Sequence, residues 1–173
     1  MGPKPRKATT PQGPADRAQQ TRADKFKDGG AVMNQAKNIE VIRRYFDGCN
    51  SSDLDVLLST LAPDVVHYFL PHNTGPIKGA QHLARYWRKF KQVLDPIWAV
   101  DHIIAQGNEV VSEWSVVYSP AGTQPRIMQR GTEWYVMRDG RISEVRAYLI
   151  LDEARNCELT GFPYSERGYL SGP

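Results

Sequence analysis

The 173-residue chain is long enough for one folded domain with a buried core and additional terminal segments. Its formal net charge is +3; because residues 1–35 hold seven Lys or Arg and three Asp, a net +4, residues 36–173 sum to −1. The folded part therefore has no basic excess that would attract nucleic acid or a membrane surface, and we predict neither as a partner.

Other composition features exclude further classes. The sequence has no run of about eighteen apolar residues that would span a bilayer, and its N-terminus lacks the apolar segment of a secretory signal. Its two cysteines, Cys49 and Cys157, are far apart and in no metal-ligand spacing. We expect a reduced cytoplasmic protein with neither a disulfide framework nor a zinc site.

The chain is predicted to contain one domain between two tails. Residues 1–35 are rich in Pro, Gly, Gln, Lys and Ala, so they cannot offset their ordering entropy by burial and are predicted to form a disordered basic tail. The domain is predicted over residues 36–151. Residues 152–173 mix aromatic residues with turn formers and are expected to pack on the domain as an irregular tail.

Helical spacing of apolar residues predicts three helices in the first half of the domain. The first covers residues 37–50, and the second follows after Ser52 or Asp53 as its N-cap. Ala62, Pro63 and Asp64 are expected to end the second helix, before a strand over residues 65–70. The third helix is predicted over residues 79–94, with Trp87 on its apolar side and a solvated basic side opposite.

Strands dominate the second half. They are predicted over residues 97–105, 109–119 and, as a hairpin, 129–151. Asp139 and Gly140 lie between the two alternating arms of this hairpin, and Asp-Gly is a strong signal for a tight turn. The element order predicts an α+β fold with helices on one face of a curved antiparallel sheet, which leaves an apolar cavity suited to a small molecule.

Period-two alternation sorts the strand residues into two faces but does not say which face points inward. We assign to the cavity the set that mixes small residues with isolated carboxylates: Glu113, Glu133, Tyr135, Val145 and Leu149. The other set is Trp114, Tyr118, Arg130, Trp134, Arg146 and Tyr148. Aromatic residues and Arg are enriched at subunit interfaces, so we assign this second set to an interface.

Three segments carry a family resemblance: VIRRYFDGCNSSDLDVLLSTLAPDVV, EVVSEWSVVYS and GTEWYVMRDGRISEVRAYL. Over about residues 36–151 the chain resembles the SnoaL-like, ketosteroid-isomerase-like branch of the nuclear transport factor 2-like superfamily. This resemblance implies a cone-shaped α+β barrel, with three N-terminal helices packed on a strongly curved, mainly antiparallel sheet. It also implies a homodimer, or alternatively a trimer, that pairs across the outer face of the sheet.

The resemblance implies roles for only some residues. Tyr45 stands where ketosteroid isomerases place the tyrosine that donates to the developing enolate oxygen, and Glu133 stands at their second, protonated donor. Phe69 occupies the position of their aspartate base, so simple steroid isomerisation is not implied. Glu113, Ser115 and Ala147 stand where the epoxide hydrolases of the superfamily have one Arg and two Asp, so epoxide hydrolysis is not implied either.

Four residues are candidates for catalysis. Glu133 in an apolar pocket is suited to general acid or base chemistry; alternatively it is a structural carboxylate paired with a buried cation. Tyr45 can donate to a substrate oxygen or serve as a core aromatic. His67, on the same strand face as Phe69, and His102 are possible proton carriers or satisfied core residues. Glu113, if close to Glu133, would couple with it in titration.

The first hypothesis is a cofactor-independent lyase or isomerase that acts on a hydrophobic aromatic or polycyclic small molecule. Its acid–base reaction would be dehydration, cyclisation, isomerisation or carbon–carbon lysis such as loss of formaldehyde. We predict no nucleotide or metal, because the sequence contains no glycine-rich phosphate loop or metal-ligand cluster. The second hypothesis is a non-catalytic binding or assembly module, which predicts a pocket filled by aromatic side chains and a salt-bridged Glu133.

Overall fold

A computed structural model describes residues 14–70, 75–119 and 126–149 of the protein. The chain divides into two units, Met1–Asn34 and Gln35–Pro173. The sheet and two of the three described helices belong to the second unit, and the first helix contributes residues to both. Within the described ranges, none of the helices combines the length and apolar character needed to cross a bilayer.

The three helices are α1 (Pro14–Ser51), α2 (Leu54–Thr60) and α3 (Ala80–Leu94). The start of α1 differs from the sequence prediction, because residues 14–35 are helical where a disordered tail was expected. Most residues of this segment are Ala, Gln, Arg, Lys and Asp, and all of these except Asp are good helix formers. Residues 1–13 and the predicted C-terminal tail, residues 152–173, lie outside the described residues.

Local chemistry ends α1 and starts α2 within three residues. Ser52 has φ 55°, a left-handed conformation that stops α1. Of the two predicted N-caps, Ser52 and Asp53, Asp53 is the one found, because its Oδ1 accepts the backbone N–H groups of Asp55 (2.9 Å) and Val56 (3.1 Å). A Cβ at Gly48 would lie 2.9 Å from Leu57 Cγ, so this glycine lets α1 and α2 pack closely.

In the part of the chain that the structure describes, six strands form one sheet: β1 (Leu61–Leu70), β2 (Ile77–Lys78), β3 (Ile97–Gln106), β4 (Glu109–Tyr118), β5 (Ile127–Arg138) and β6 (Arg141–Leu149). Their order is β2-β1-β6-β5-β4-β3; β1 and β6 are parallel and all other pairs are antiparallel. The predicted fold class, helices packed on a curved and mainly antiparallel sheet, is confirmed. The prediction missed β2, and β1 begins at Leu61, earlier than expected.

The predicted hairpin is confirmed as β5 and β6. Asp139 (φ 52°) and Gly140 (φ 70°) both have positive φ, which is the conformation of the tight turn that Asp-Gly favours. Arg138 and Arg141 pair across it. This turn sets the register of the hairpin, so that Glu133 lies opposite Ala147 and Tyr135 lies opposite Val145.

The register of the four central strands builds two rows of side chains across the sheet. One row runs Phe69, Ala147, Glu133, Ser112, and the next runs His67, Val145, Tyr135, Val110. The second row is fully buried and belongs to the main core together with Ile42, Tyr45 and Leu83 of the helices. The first row contains the small Ala147 between the larger Phe69 and Glu133, which leaves space above the sheet.

Candidate active site

A cavity of about 80 Å³ lies between α3 and the sheet. Its lining residues are Phe69, Tyr86, Trp87, Phe90, Trp98, Trp114, Gln129, Glu133, Ala147 and Leu149. Drug-sized ligands occupy pockets of roughly 300–1,000 Å³. The cavity is therefore smaller than such pockets, and a ligand of that size requires its side chains to move.

The walls of the cavity are mostly aromatic. Phe69 comes from β1, and the α3 face supplies three further rings at helical spacing, Tyr86, Trp87 and Phe90. Trp98 and Trp114 from β3 and β4 meet edge to face, with ring centroids 4.8 Å apart. The aromatic filling agrees with one expectation of the binding-module hypothesis.

Among the described residues that line the cavity, Glu133 is the one with a carboxyl group. Its side chain is 4% exposed, and its Oε2 accepts a hydrogen bond from the Tyr135 hydroxyl. Tyr135 Oη is in turn 3.4 Å from Ser112 Oγ. Oε1 is 3.7 Å from His67 Nε2. Among the described residues, no Lys or Arg pairs with Glu133, so the salt bridge to a fixed cation expected for a purely structural carboxylate is not found there.

His67 lies directly behind the cavity wall. It is fully buried, and its ring packs on Phe69 with centroids 4.3 Å apart. Within the described part of the chain, neither ring nitrogen has a hydrogen-bond partner. The distance of 3.7 Å to Glu133 is longer than a hydrogen bond. Catalytic hydrogen bonds in unliganded enzymes are often long and shorten when a ligand binds.

Tyr45 is held inside the core. Its Oη accepts the Trp87 Nε1 proton at 2.5 Å, and its ring contacts Tyr135 with centroids 6.4 Å apart. It is 1% exposed and does not line the cavity. The predicted contact with a substrate oxygen therefore requires Trp87 to move, because the Trp87 ring stands in the cavity wall.

Burial keeps the phenols around Glu133 protonated. The pKa of Tyr135 is raised well above its usual value, mainly by burial. The charge of Glu133 and the hydrogen bond between Tyr135 and Glu133 raise it further. The pKa of Tyr45 is raised well above its usual value by burial and, to a smaller extent, by Cys49 and Glu133. Tyr135 is therefore a neutral donor to Glu133, which leaves Ser112 to donate to Tyr135.

Two predicted site residues, Glu113 and His102, are exposed and outside the cavity. They pair with each other across β3 and β4. The prediction that Glu113 faces the cavity is wrong because it assigned the inward face of β4 incorrectly. Ser112 pairs with Glu133 and Trp114 pairs with Gly131, so the even-numbered residues of β4 face the core. A bulge at Asp101 also shifts the alternation of β3 before His102.

Of the other predicted binding residues, Phe69, Trp87 and Leu149 line the cavity, whereas Tyr135 and Val145 are fully buried behind it. Six lining residues were not predicted: Tyr86, Phe90, Trp98, Trp114, Gln129 and Ala147. Tyr86 and Phe90 share a helix face with Trp87, and Gln129 shares a strand face with Glu133, so periodicity could have identified these three.

The outer face of the sheet carries the expected Trp134, Tyr148 and Arg146. Trp134 and Tyr148 are exposed, and the Arg146 guanidinium lies 5.4 Å from the Trp134 ring centroid and pairs with Glu144 at 3.1 Å. Trp114 and Tyr118, predicted for the same face, instead belong to the core. The homodimer expected across this face stays a prediction.

Comparison with known proteins agrees with this architecture. The model of the SnoaL-like domain family matches residues 42–145, a range that includes Tyr45, His67 and Glu133. No curated protein sequence matches the chain. A solved protein of unknown function with a cystatin-like fold, from Methylobium petroleophilum PM1, is 29% identical; the match covers 78% of this chain and 91% of that protein, with a TM-score of 0.61.

Two further solved structures share the fold at lower identity. An LEH-like epoxide hydrolase from M. tuberculosis is 19% identical, with 67% of this chain and 84% of that protein covered and a TM-score of 0.60. TerC, co-crystallised with polyporic acid, is 21% identical, with 66% and 92% covered and a TM-score of 0.59. At this level of identity the likeness concerns the fold alone.

Proposed function

The chain belongs to the SnoaL-like domain family, and we propose that it is a cofactor-independent lyase or isomerase acting on a hydrophobic aromatic small molecule. The reaction is acid–base chemistry: dehydration, cyclisation, isomerisation or carbon–carbon lysis. Folds of this kind carry many activities, so the proposal depends on the site rather than on the fold. TerC offers one parallel, since that protein was crystallised with polyporic acid.

The observation that carries the proposal is the position of the Glu133 carboxyl. It lines the cavity with 3% of the residue exposed, and among the described residues it has no Lys or Arg partner. A structural carboxylate at such a depth is normally neutralised by a bound cation. Glu133 instead has one oxygen held by Tyr135 and the other facing His67, so it is oriented and able to exchange a proton with a ligand.

We assign the roles as follows. Glu133 transfers the proton, and Tyr135 orients its carboxyl group. His67 is placed to take up or return that proton once ligand binding shortens the 3.7 Å separation. The aromatic walls exclude water and position the ligand, which are the two effects that catalysis without a cofactor requires.

The second candidate is a non-catalytic binding module. The observation in its favour is that aromatic side chains occupy most of the space between α3 and the sheet and leave a cavity of only about 80 Å³. It differs from the first candidate in one consequence: replacement of Glu133 would alter ligand affinity without altering the rate of any reaction.

Proton transfer can be tested before the natural substrate is known. Aromatic ketones and polyketide-like phenols are incubated with the protein in heavy water, and deuterium incorporation at carbon is measured by mass spectrometry. We expect catalysed exchange for at least one compound. Glu133→Gln removes the proton-transfer group and keeps the shape of the side chain, so exchange should fall by about a hundredfold or more.

Glu113→Gln is the matched control, because Glu113 is an exposed carboxyl on the opposite face of the neighbouring strand. It should leave exchange unchanged. An equal rate for Glu133→Gln and the unmodified protein, with both folded, contradicts the enzymatic proposal and favours the binding module.

A further inference from the structure

A groove on the protein surface collects basic side chains. It has a volume of about 440 Å³ and is lined by residues of α2, β1, β2, β6 and the start of α3. Four of these residues are basic: Lys78, His82, Arg85 and Arg141. All four are exposed. Among the described residues that line this basic groove, none is acidic, so the three formal charges of its Lys and Arg residues border one space without a negative charge in it.

The charge of the basic groove is not a consequence of composition, because residues 36–173 sum to −1. Elsewhere among the described residues, five Lys or Arg side chains form ion pairs with carboxylates: Lys91, Arg126, Arg130, Arg138 and Arg146. Lys78, Arg85 and Arg141 have no such pair with a described carboxylate. Asp64, which follows Pro63 of the groove lining, is already held by Arg138. The positive charge of the groove is therefore uncompensated.

Like charges around a concave surface repel each other and focus a positive potential, which raises the local concentration of anions. The guanidinium groups of Arg85 and Arg141 are planar forks that match the oxygens of a phosphate or carboxylate, and Lys78 adds a point charge. The start of α3 contributes no negative charge, because its N-cap Gly79 makes no side-chain hydrogen bond and its first turn contains no acidic residue. An anion bound in the groove would relieve this repulsion.

The number of charges and the rest of the lining restrict the kind of anion. A monocarboxylate carries one negative charge, whereas a phosphate monoester carries about −1.5 to −2 at neutral pH and three acceptor oxygens. Leu58, Leu61 and Ala80 supply apolar surface in the same groove, which suits an organic substituent. Its volume of about 440 Å³ also lies within the range of roughly 300–1,000 Å³ that small-molecule pockets occupy.

We propose that the basic groove is a binding site for a small organic phosphate, with Lys78, Arg85 and Arg141 around the phosphate group and the apolar residues against its substituent. The groove shares no lining residue with the aromatic cavity that contains Glu133. The site is therefore separate from the candidate active site and does not depend on the proposed function.

Phenyl phosphate is a suitable probe, with inorganic phosphate and benzoate for comparison. Their dissociation constants are measured by isothermal titration calorimetry on the full chain at physiological ionic strength. We expect phenyl phosphate to bind with a dissociation constant of about 1 mM or less. It should bind more tightly than inorganic phosphate, which lacks the ring, and than benzoate, which has a single charge.

Arg85→Gln and Arg141→Gln should each weaken phenyl phosphate binding by about three- to tenfold. Both side chains are exposed, so we expect both variants to fold. Arg88→Gln is the matched control, because Arg88 is an exposed residue of the same helix and does not line the groove. It removes the same charge and should change the dissociation constant by less than about twofold, since salt screens charges beyond about 8 Å.

A second measurement locates the probe without the arginine variants. Phenyl phosphate should shift the proton resonance of the His82 imidazole, which lines the groove, and leave that of His102, on β3 outside the groove, in place. His82→Gln and His102→Gln assign the two signals. An unmoved His82 signal, no binding of phenyl phosphate, equal binding of inorganic phosphate or benzoate, or an equal loss in Arg88→Gln and the groove variants overturns the site.

Discussion

The contact between Gly131 and Trp114 allows a quantitative test of the cavity wall. In Gly131→Ala the new methyl group overlaps three ring atoms of the indole. Trp114 is 2% exposed and packed on Trp98, so it cannot move aside freely. Displacement in a packed core costs about 1–3 kcal/mol. Alanine returns about 0.4–1 kcal/mol by restricting the unfolded chain, because Gly131 does not have a positive φ.

The net expectation is a loss of about 1–2 kcal/mol in the free energy of unfolding. For a domain of this size, the melting temperature should fall by about 2–8 °C. Differential scanning calorimetry measures this change, and near-ultraviolet circular dichroism should show a changed tryptophan environment. Gly75→Ala is the matched control, since a Cβ added at Gly75 would meet no atom of the described residues within 4 Å and its φ is not positive. Equal melting temperatures for the two variants would refute the packing argument.

Two further predictions concern the cavity floor and a surface ion pair. Ala147→Leu places a larger side chain between Phe69 and Glu133 in the cavity of about 80 Å³. The affinity for indanone, a small aromatic ketone, measured by equilibrium dialysis should therefore fall by more than about tenfold while the melting temperature is kept. Unchanged affinity would show that ligands bind elsewhere. A hydrogen bond from Lys91 lowers the pKa of Asp95, which also pairs with Arg126. Because the pKa of Asp95 is lowered in the folded state, its carboxylate stabilises the fold at pH values above the ordinary pKa of 3.8. This stabilisation is lost as the pH falls through the folded-state pKa. Asp95→Asn should thus cost less than about 1 kcal/mol at neutral pH, because the pair is exposed, and nothing in acid; a difference that persists at low pH in urea denaturation would contradict this assignment.

Much of the fold could be predicted from local patterns. The Asp139–Gly140 turn, with both φ values positive, sets the register of the hairpin. Once the turn is known, alternation places Glu133, Ala147 and Leu149 on one face, as the structure has them. The cap at Asp53 likewise depends on residues within three positions of each other. These features are determined by short-range stereochemistry, which the sequence alone specifies.

The parts that could not be predicted depend on contacts between distant segments. Alternation separates Trp114 from Glu113 but does not state which faces the helices, and the structure places Trp114 inside because Gly131 on the next strand leaves room for its ring. The parallel pairing of β1 with β6, which brings His67 beside Glu133, joins strands far apart in sequence.

The sequence by itself thus determined most of the elements, the family and the carboxyl group at the centre of the candidate site. The tertiary structure decided which side chains surround Glu133. It joined Tyr45 to Trp87 and placed Glu113 and His102 outside the cavity. The physical reason is that a side chain's surroundings depend on the volumes of neighbours from other strands and helices, and those neighbours meet only when the sheet and helices pack together.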